Sequence, residues 1–259
     1  MGTMGSHALM SGHSKWASIK RKKGATDAKR GQLFSKLARA IIVAAREGGP
    51  DPGGNLALQN AIEKAREAAM PKDNIERAIA RGAGTGTDAA AYETVTYEGY
   101  GPGGIALFIE ALTDNRNRTA ADVRHVFSKN DGNLGESGSV AWLFERKGVI
   151  LVEAGADEDE LVLAAADAGA EDVEPEESSL RVTTAPESLH SVREALEQAG
   201  IPIESAESTM VPKTSVSIED ESVARKVVRL MDELAENDDV QDVYSNFDIP
   251  ERVLEAVAG

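Results

Sequence analysis

The sequence of 259 residues contains no cysteine. Disulfides, thiolate metal sites and a cysteine nucleophile are therefore excluded, and a reducing compartment is the simplest environment for such a chain. No apolar run approaches the roughly 20 residues of a membrane-spanning helix, and no secretory signal follows Met10. These absences lead us to expect a cytoplasmic protein that does not bind membranes.

Aromatic residues are scarce, at 4% of the chain, although 41% of the residues are hydrophobic. We therefore expect cores built mainly from leucine, isoleucine, valine and alanine. Residues 1–9 look like an expression tag, since small residues and two early methionines precede a natural-looking start at Met10. The remaining 250 residues exceed the usual size of one hydrophobic core, so two or three domains are expected.

Groups suited to catalysis or metal binding are also few. The histidines at positions 13, 125 and 190 are isolated from one another, and no order of serine, histidine and aspartate suggests a nucleophilic triad. The acidic residues show no spacing typical of a metal site. We predict no catalytic residue, no metal, no cofactor and no enzymatic activity.

Charge is abundant and unevenly distributed. The chain has 28 basic and 44 acidic residues, for a net charge of −16. Residues 10–85 contain 15 basic and 7 acidic residues, net +8, whereas residues 86–259 contain 13 and 37, net −24. A basic segment on an acidic body is a composition expected of a protein that binds nucleic acid or another anionic partner.

Positive charge is densest between Lys15 and Arg46, where ten basic residues accompany a single acidic one, Asp27. Such a run can neutralise several phosphates, with an affinity that depends strongly on salt and little on base sequence. A solvated basic tail is the alternative interpretation. The candidate phosphate contacts in this region are Lys15, Lys20, Arg21, Lys22, Lys23, Lys29, Arg30, Lys36 and Arg39.

Two ring side chains accompany the start of this basic run. His13 and Trp16 flank Lys15, and both are candidates for stacking on unpaired bases. Trp16 has an alternative role, which is to anchor the basic segment by packing against Leu33 or Phe34.

A second basic cluster lies in the acidic part of the chain, where a strand is expected to give way to a helix that begins near Arg118. Arg116 and Arg118 are candidate phosphate contacts there, because helix N-termini attract anions. In the alternative interpretation, Asn117 or Thr119 caps the helix and the arginines pair with nearby acidic residues.

The hydrophobic pattern divides the chain into domains. Three short amphipathic helices are predicted within a basic, all-helical domain, residues 10–85. Residues 148–209 follow the order strand, helix, strand, strand, helix, strand, which is the ferredoxin-like arrangement. Residues 86–147 and 210–259 are predicted to pair as a discontinuous α+β domain into which 148–209 is inserted. The expected fold class is therefore multi-domain α+β, with two ferredoxin-like domains.

Before the ferredoxin-like part, residues 130–135 are predicted to form a loop, and a strand is predicted from Val140 to Phe144. A further strand is predicted at residues 214–218, before the last long helix.

Four segments, taken in order, resemble the YebC/PmpR family, which includes the mitochondrial translational activator of cytochrome oxidase subunit one. They are Met10–Lys23, Met70–Ile79, Tyr97–Gly104 and Thr113–Thr119. The resemblance implies an all-helical first domain followed by two α+β domains. It also implies a regulatory function, since bacterial members are generally described as probable DNA-binding transcriptional regulators. Mitochondrial members, and some bacterial ones, act in translation at the ribosome, including relief of stalling at proline-rich stretches.

We therefore expect a nucleic-acid-binding regulatory protein, with DNA-binding transcriptional regulation as the first hypothesis. A ribosome-associated translation factor that binds rRNA or tRNA is an alternative, because net charge does not distinguish the two nucleic acids. An acidic protein-interaction adaptor is a second alternative. No helix displays the base-reading residues of a recognition helix, which favours contact with backbone and shape. The sequence does not indicate an oligomeric state.

Overall fold

The structure, a computed structural model, describes residues 27–84, 92–153, 155–176 and 179–258. It begins with three helices: α1 (Asp27–Gly48), α2 (Leu56–Glu67) and α3 (Lys72–Gly82). The remaining helices and strands are, in chain order, β1 (Glu93–Tyr100), β2 (Ala106–Thr113), α4 (Arg116–Lys129), β3 (Asn133–Leu134), β4 (Phe144–Glu153), α5 (Glu158–Asp167), β5 (Asp172–Pro175), β6 (Ser179–Thr184), α6 (Leu189–Gln198), β7 (Ile203–Pro212), β8 (Val216–Ser217), α7 (Glu221–Glu236), β9 (Val240–Ser245), β10 (Phe247–Asp248) and α8 (Glu251–Ala258).

The three N-terminal helices share one aliphatic core, as the hydrophobic spacing predicts. Ile41 of α1, Leu58 of α2 and Ile75 of α3 are buried in it. Asn55 fixes the start of α2, because its side-chain oxygen accepts a hydrogen bond from Leu58 N while its amide donates to two carbonyls at the end of α1. The Asn55 side chain therefore both caps α2 and links it to the end of α1.

The end of α3 lies against the last two turns of α1, and this approach depends on Gly82. A Cβ atom at position 82 would lie 2.4 Å from the carbonyl oxygen of Ile42 and 2.7 Å from Cβ of Ala45. Glycine is therefore required by close packing of the two helices.

One antiparallel sheet has the strand order β3-β1-β2-β9. Helix α4 covers one of its faces, since a Cβ atom at Gly99 of β1 would lie 2.7 Å from the ring of Phe127. The turn between β1 and β2 contains Gly103 and Gly104 at φ 76° and 77°, a conformation that favours glycine. Strands separated by more than a hundred residues thus form a single sheet.

A second antiparallel sheet has the order β5-β6-β4-β7. Helices α5 and α6 connect its strands in the ferredoxin-like manner. The core contains Ile150 and Val182 from the sheet, Leu161 from α5 and Leu196 from α6. Together with the N-terminal helices, the two sheets confirm the α+β class.

The described residues form two compact units. One comprises the described residues within 27–141, together with 218–245 and 249–258. The other contains the second sheet and consists of the described residues within 142–217, together with 246–248. The predicted domain boundaries near 147 and 209 lie within β4 and β7, because these two strands pair along their length from Phe144↔Pro212 onward.

The predicted strand from Val140 to Phe144 is wrong. Residues 141–143 form a single 3-10 turn, and β4 begins only at Phe144. The reason is a contact with a residue distant in the chain, since the backbone N–H groups of Val140 and Ala141 donate to the carboxylate of Glu98 and are not available for strand pairing. The strand predicted at 214–218 shortens to β8, and β3, β10 and α8 were not predicted.

Substitution of Gly82 by alanine is expected to lower the free energy of unfolding by about 1 to 3 kcal/mol, because the new methyl group overlaps the α1 backbone. Gly31 is the matched control, since it lies within α1 with nothing within 4 Å of a Cβ. Gly31→Ala should raise stability by about 0.5 to 1 kcal/mol through helix propensity. Chemical unfolding followed by circular dichroism measures both changes, and equal effects of the two substitutions would contradict this account.

The inserted arrangement of residues 148–209 stays a prediction that limited proteolysis tests. Cuts near residues 141 and 214 should release one resistant fragment that contains β4 to β7, while the two flanking pieces copurify through the pairing of β2 with β9 and of β8 with β10. Recovery of residues 210–259 as an independently folded fragment would count against a discontinuous domain.

Candidate nucleic-acid interface

Half of the ten basic residues between Lys15 and Arg46 precede the described part of the chain. The residues that lie outside it are His13, Lys15, Trp16, Lys20, Arg21, Lys22 and Lys23. Lys29 belongs to the first turn of α1, but its side chain is not among those described. These assignments stay predictions.

Arg30 is the first described cation of the basic region. Its side chain is exposed, and its guanidinium carbon lies 5.5 Å from the centre of the Phe34 ring, one turn further along α1. A cation over an aromatic face keeps its charge and its outward-facing donors. Arg30 is therefore placed to extend the preceding basic segment onto the surface of α1.

Lys36, Arg39 and Arg46 occupy one stripe of α1 because they follow helical spacing. This stripe contacts the sheet part of the same unit. Lys36 Nζ donates a 2.6 Å hydrogen bond to the carbonyl of Ala235, in the last turn of α7. Cations are stabilised at that end of a helix by its unpaired carbonyls.

The other two residues of the stripe extend this contact. Arg39 donates to the carbonyl of Asp238 and packs its guanidinium over the ring of Tyr92, 5.5 Å from the ring centre. Arg46 donates to the carbonyl of Tyr92. Lys36 and Arg39, predicted as phosphate contacts, thus join the helical bundle to the sheet. A contact with phosphate stays a prediction for both.

The centre of this contact is the buried carboxylate of Asp239. Its Oδ1 lies 2.9 Å from Arg39 Nη1, and its Oδ2 lies 2.8 Å from Arg118 Nη2. Thr119 and Thr113 also donate their hydroxyls to Oδ2, at 2.7 and 3.3 Å. One carboxylate therefore joins α1, the end of β2 and the start of α4.

The two charged partners stabilise each other's ionised form. Burial acts to raise the pKa of Asp239, but hydrogen bonds from Arg118 and Thr119 and the charges of Arg118 and Arg39 outweigh it, so this pKa lies below its usual value. The pKa of Arg118 is raised, chiefly by its hydrogen bonds to Asp239 and Asp114. Both groups are fully charged at neutral pH.

The helix that carries Arg116 and Arg118 starts two residues earlier than predicted. Asn115, in an extended conformation, caps it by accepting a hydrogen bond from Arg118 N at 3.1 Å, so the expected cap at Asn117 or Thr119 is wrong. Arg118 pairs with Asp114 and Asp239, as the ion-pair interpretation proposed. The side chain of Arg116 is 64% exposed, with its Nε 3.7 Å from the Glu93 carboxylate.

A second buried carboxylate belongs to the glycine-rich segment Tyr97–Gly104. Glu98 accepts hydrogen bonds from the backbone N–H groups of Gly138, Val140 and Ala141, at 2.6, 2.8 and 2.7 Å. Burial acts to raise its pKa, but these three donors together hold the pKa below its usual value. The acidic side chain of this segment therefore fixes the backbone of residues 138–141.

Sequence reasoning missed Asp239, Tyr92 and the role of Glu98. Asp239 follows Asn237 and Asp238 in a polar run between a helix and a strand, which has the composition of an ordinary turn. The ion pairs of Asp239 are not visible in the sequence, because its partners Arg39 and Arg118 are 200 and 121 residues away in the chain.

Over the ranges described, no cluster of three or more histidine, cysteine, aspartate or glutamate residues is arranged to hold a metal ion. None of the helices in those ranges has both the length and the apolar character needed to cross a membrane.

The fold and these contacts define the class: an α+β protein whose basic N-terminal helices are held against a sheet by arginine and lysine side chains. The chain belongs to the YebC family. Residues 14–85 match the family model described as the TACO1/YebC protein N-terminal domain, and residues 92–247 match the one described as the TACO1/YebC second and third domain. The resemblance inferred from the four sequence segments is confirmed.

Curated relatives match over nearly their full length. A protein of Rubrobacter xylanophilus is 61% identical over 96% of this chain and 100% of its own, and one of Halothermothrix orenii is 56% identical over 96% and 99%. Both carry the name "Probable transcriptional regulatory protein". The crystal structure of a conserved hypothetical protein from Aquifex aeolicus is 54% identical, with a TM-score of 0.80 over 92% of this chain and 98% of that one.

Asp239→Asn is expected to lower the free energy of unfolding at neutral pH by about 2 kcal/mol, since it leaves two arginines facing a neutral group. The folded protein holds the pKa of Asp239 below the value of about 3.9 in an unfolded chain. The carboxylate's contribution is therefore fully present above that value and lost as the pH falls through the lower, folded pKa.

Urea unfolding of wild type and Asp239→Asn across a pH series measures this effect, with Glu136→Gln as a control at an exposed acidic residue. The stability difference should be constant near neutral pH and should shrink in acid. A difference that stays constant down to strongly acidic pH would refute the ion-pair explanation.

Proposed function

We propose that this protein is a nucleic-acid-binding transcriptional regulator, that DNA is its partner, and that residues 10–85 bind the phosphate backbone. The observation that carries the proposal is the separation of charge, with net +8 on this region and net −24 on the rest of the chain. The names of its relatives support the regulatory role. The proposed activity is binding rather than catalysis.

In this proposal the basic residues divide into two groups. Lys36, Arg39 and Arg46 hold the helical bundle against the sheet, where backbone carbonyls and Asp239 already engage them. The basic segment from Lys15 to Lys23, continued by Lys29 and Arg30, contacts the nucleic acid. The exposed position of Arg30 supports this division, because its side chain remains on the surface where the segment enters α1.

The surface beyond α1 adds further positive charge. Arg66 of α2 and Lys72 of α3 are exposed, and Lys72 forms only a loose pair with Glu76, at 3.4 Å, between side chains that are 86% and 61% exposed. An exposed pair of this kind contributes little to stability, so the lysine can exchange its partner for a phosphate. Arg116 is a further candidate contact because it too is largely exposed.

Recognition is proposed to rest on backbone and shape rather than on base edges. The exposed side of α3 carries Lys72, Asp73, Glu76 and Arg77, and Arg77 is occupied by the Asp73 carbonyl and the Asn74 side chain. Acidic residues interspersed in this way favour neither close groove insertion nor bidentate reading of bases. The net negative charge of the remaining residues repels phosphate, which favours contact with residues 10–85.

The direct test compares Lys20→Glu/Arg21→Glu with wild type in binding to random duplex DNA across a salt series. The variant should lower affinity by at least about tenfold at low salt, and it should reduce the slope of log affinity against log salt by roughly two, one per lost phosphate contact. Lys213→Glu/Arg225→Glu is the matched control, since it makes the same charge change at exposed positions outside residues 10–85 and should leave the slope unchanged.

Ribosome co-sedimentation over the same salt series separates DNA from RNA as the physiological partner. Retention on ribosomes at salt concentrations that remove the protein from DNA, lost in Lys20→Glu/Arg21→Glu, would replace the transcriptional proposal with a role in translation. Equal DNA binding by the variant and wild type would overturn the assignment of the basic segment and favour a protein-interaction adaptor.

A further inference from the structure

Helix α5 has two apolar sides. Leu161 and Ala165 are completely buried in the core of the second sheet. The next residues along the helix, Val162 and Leu163, are 45% and 66% exposed. A helix packed on one side of a sheet normally carries polar residues on its outer face, so apolar residues on both faces indicate that a second surface covers the outer one.

These two residues differ from the other large exposed hydrophobic side chains of the described residues. Leu33, Tyr100 and Trp142 lie singly in different elements, which is ordinary for a protein surface. Val162 and Leu163 are adjacent, and Ala166 extends their stripe by one helical turn and is also exposed.

Acidic side chains border this stripe. Glu158, Asp159 and Glu160 form the first turn of α5, and Asp167 ends the helix; all four are exposed. The compact unit to which α5 belongs is strongly acidic as well, since residues 142–217 contain 17 acidic and 5 basic residues, net −12. A partner that binds this face of α5 therefore contacts apolar side chains surrounded by negative charge.

The negative charge around the outer face of α5 distinguishes among the partners that could cover it. A second copy of the chain, placed by a twofold axis, would bring the same acidic border against itself, and like charges at an interface are costly. Nucleic acid and anionic membrane surfaces are repelled for the same reason. A segment with apolar side chains flanked by lysine or arginine complements this face, because its apolar residues pack on the stripe and its basic residues pair with the acidic border.

We propose that the outer face of α5, defined by Val162, Leu163 and Ala166 with its acidic border, is a docking surface for a basic amphipathic segment of another protein. The apolar stripe supplies the part of the affinity that resists salt, and the border supplies orientation and attraction at long range. This surface lies within residues 158–167 and the proposed phosphate contacts lie elsewhere in the sequence, so a protein partner and nucleic acid bind through different parts of the chain.

The test uses the full chain and a fluorescent peptide of about four helical turns, made of leucine and lysine at helical spacing. Fluorescence anisotropy should detect binding of this peptide and not of its counterpart with glutamate in place of lysine. Val162→Ser/Leu163→Ser should weaken binding about tenfold or more at raised salt, since burial of these side chains is lost while the net charge is unchanged.

Leu33→Ser is the matched control, because it removes a leucine of 44% exposure from the basic helices and should leave peptide affinity unchanged. Asp159→Asn/Asp167→Asn should weaken binding at low salt and have little effect at high salt. DNA binding by Val162→Ser/Leu163→Ser should equal that of wild type, which distinguishes this surface from the basic region.

Three results would overturn the proposal. The first is peptide affinity of Val162→Ser/Leu163→Ser equal to that of wild type, and the second is no binding of the lysine peptide at all. The third is sedimentation that shows a wild-type dimer and a monomeric Val162→Ser/Leu163→Ser variant, since the occupant of this face would then be a second copy of the chain.

Discussion

The buried carboxylate of Asp239 is the contact on which the arrangement of the N-terminal helices depends. A buried carboxylate without partners is costly, and Asp239 satisfies its two oxygens with Arg39, Arg118 and two threonine hydroxyls. Arg39 comes from α1, and the other three partners come from the end of β2 and the start of α4. Asp239 therefore links α1 to the start of α4, and the contacts of Lys36 and Arg46 with backbone carbonyls add to this link.

This constraint gives the basic residues of the first region different roles. A count of lysines and arginines treats them alike, yet Lys36 and Arg39 contact carbonyls and a carboxylate within the protein, whereas Arg30 remains exposed. Positive charge used to hold the bundle is compensated in the folded state. The proposed nucleic-acid contact therefore relies on the segment before α1 and on exposed residues such as Arg30, with α1 as its rigid support.

The acidic residues of the chain after residue 85 have at least two different roles. Glu98 and Asp239 are buried acceptors that fix the fold, and hydrogen-bond donors hold the pKa of each below its usual value. The acidic residues of α5 remain exposed around an apolar stripe, an arrangement suited to a basic protein partner. In the two proposed interactions, phosphate and lysine-rich segments are attracted to oppositely charged parts of the chain, so each part disfavours the ligand proposed for the other.

The sequence by itself determined the features that depend on neighbours along the chain. Helical spacing predicted α1 to α3, the strand and helix order predicted the ferredoxin-like part, and counts of charge located the basic region. Only the tertiary structure decided that Asp239 pairs with Arg39 and Arg118, that Glu98 prevents a strand at Val140, and that Val162 and Leu163 remain exposed. These outcomes depend on groups brought together from distant positions in the chain, and a local sequence pattern contains no information about such contacts.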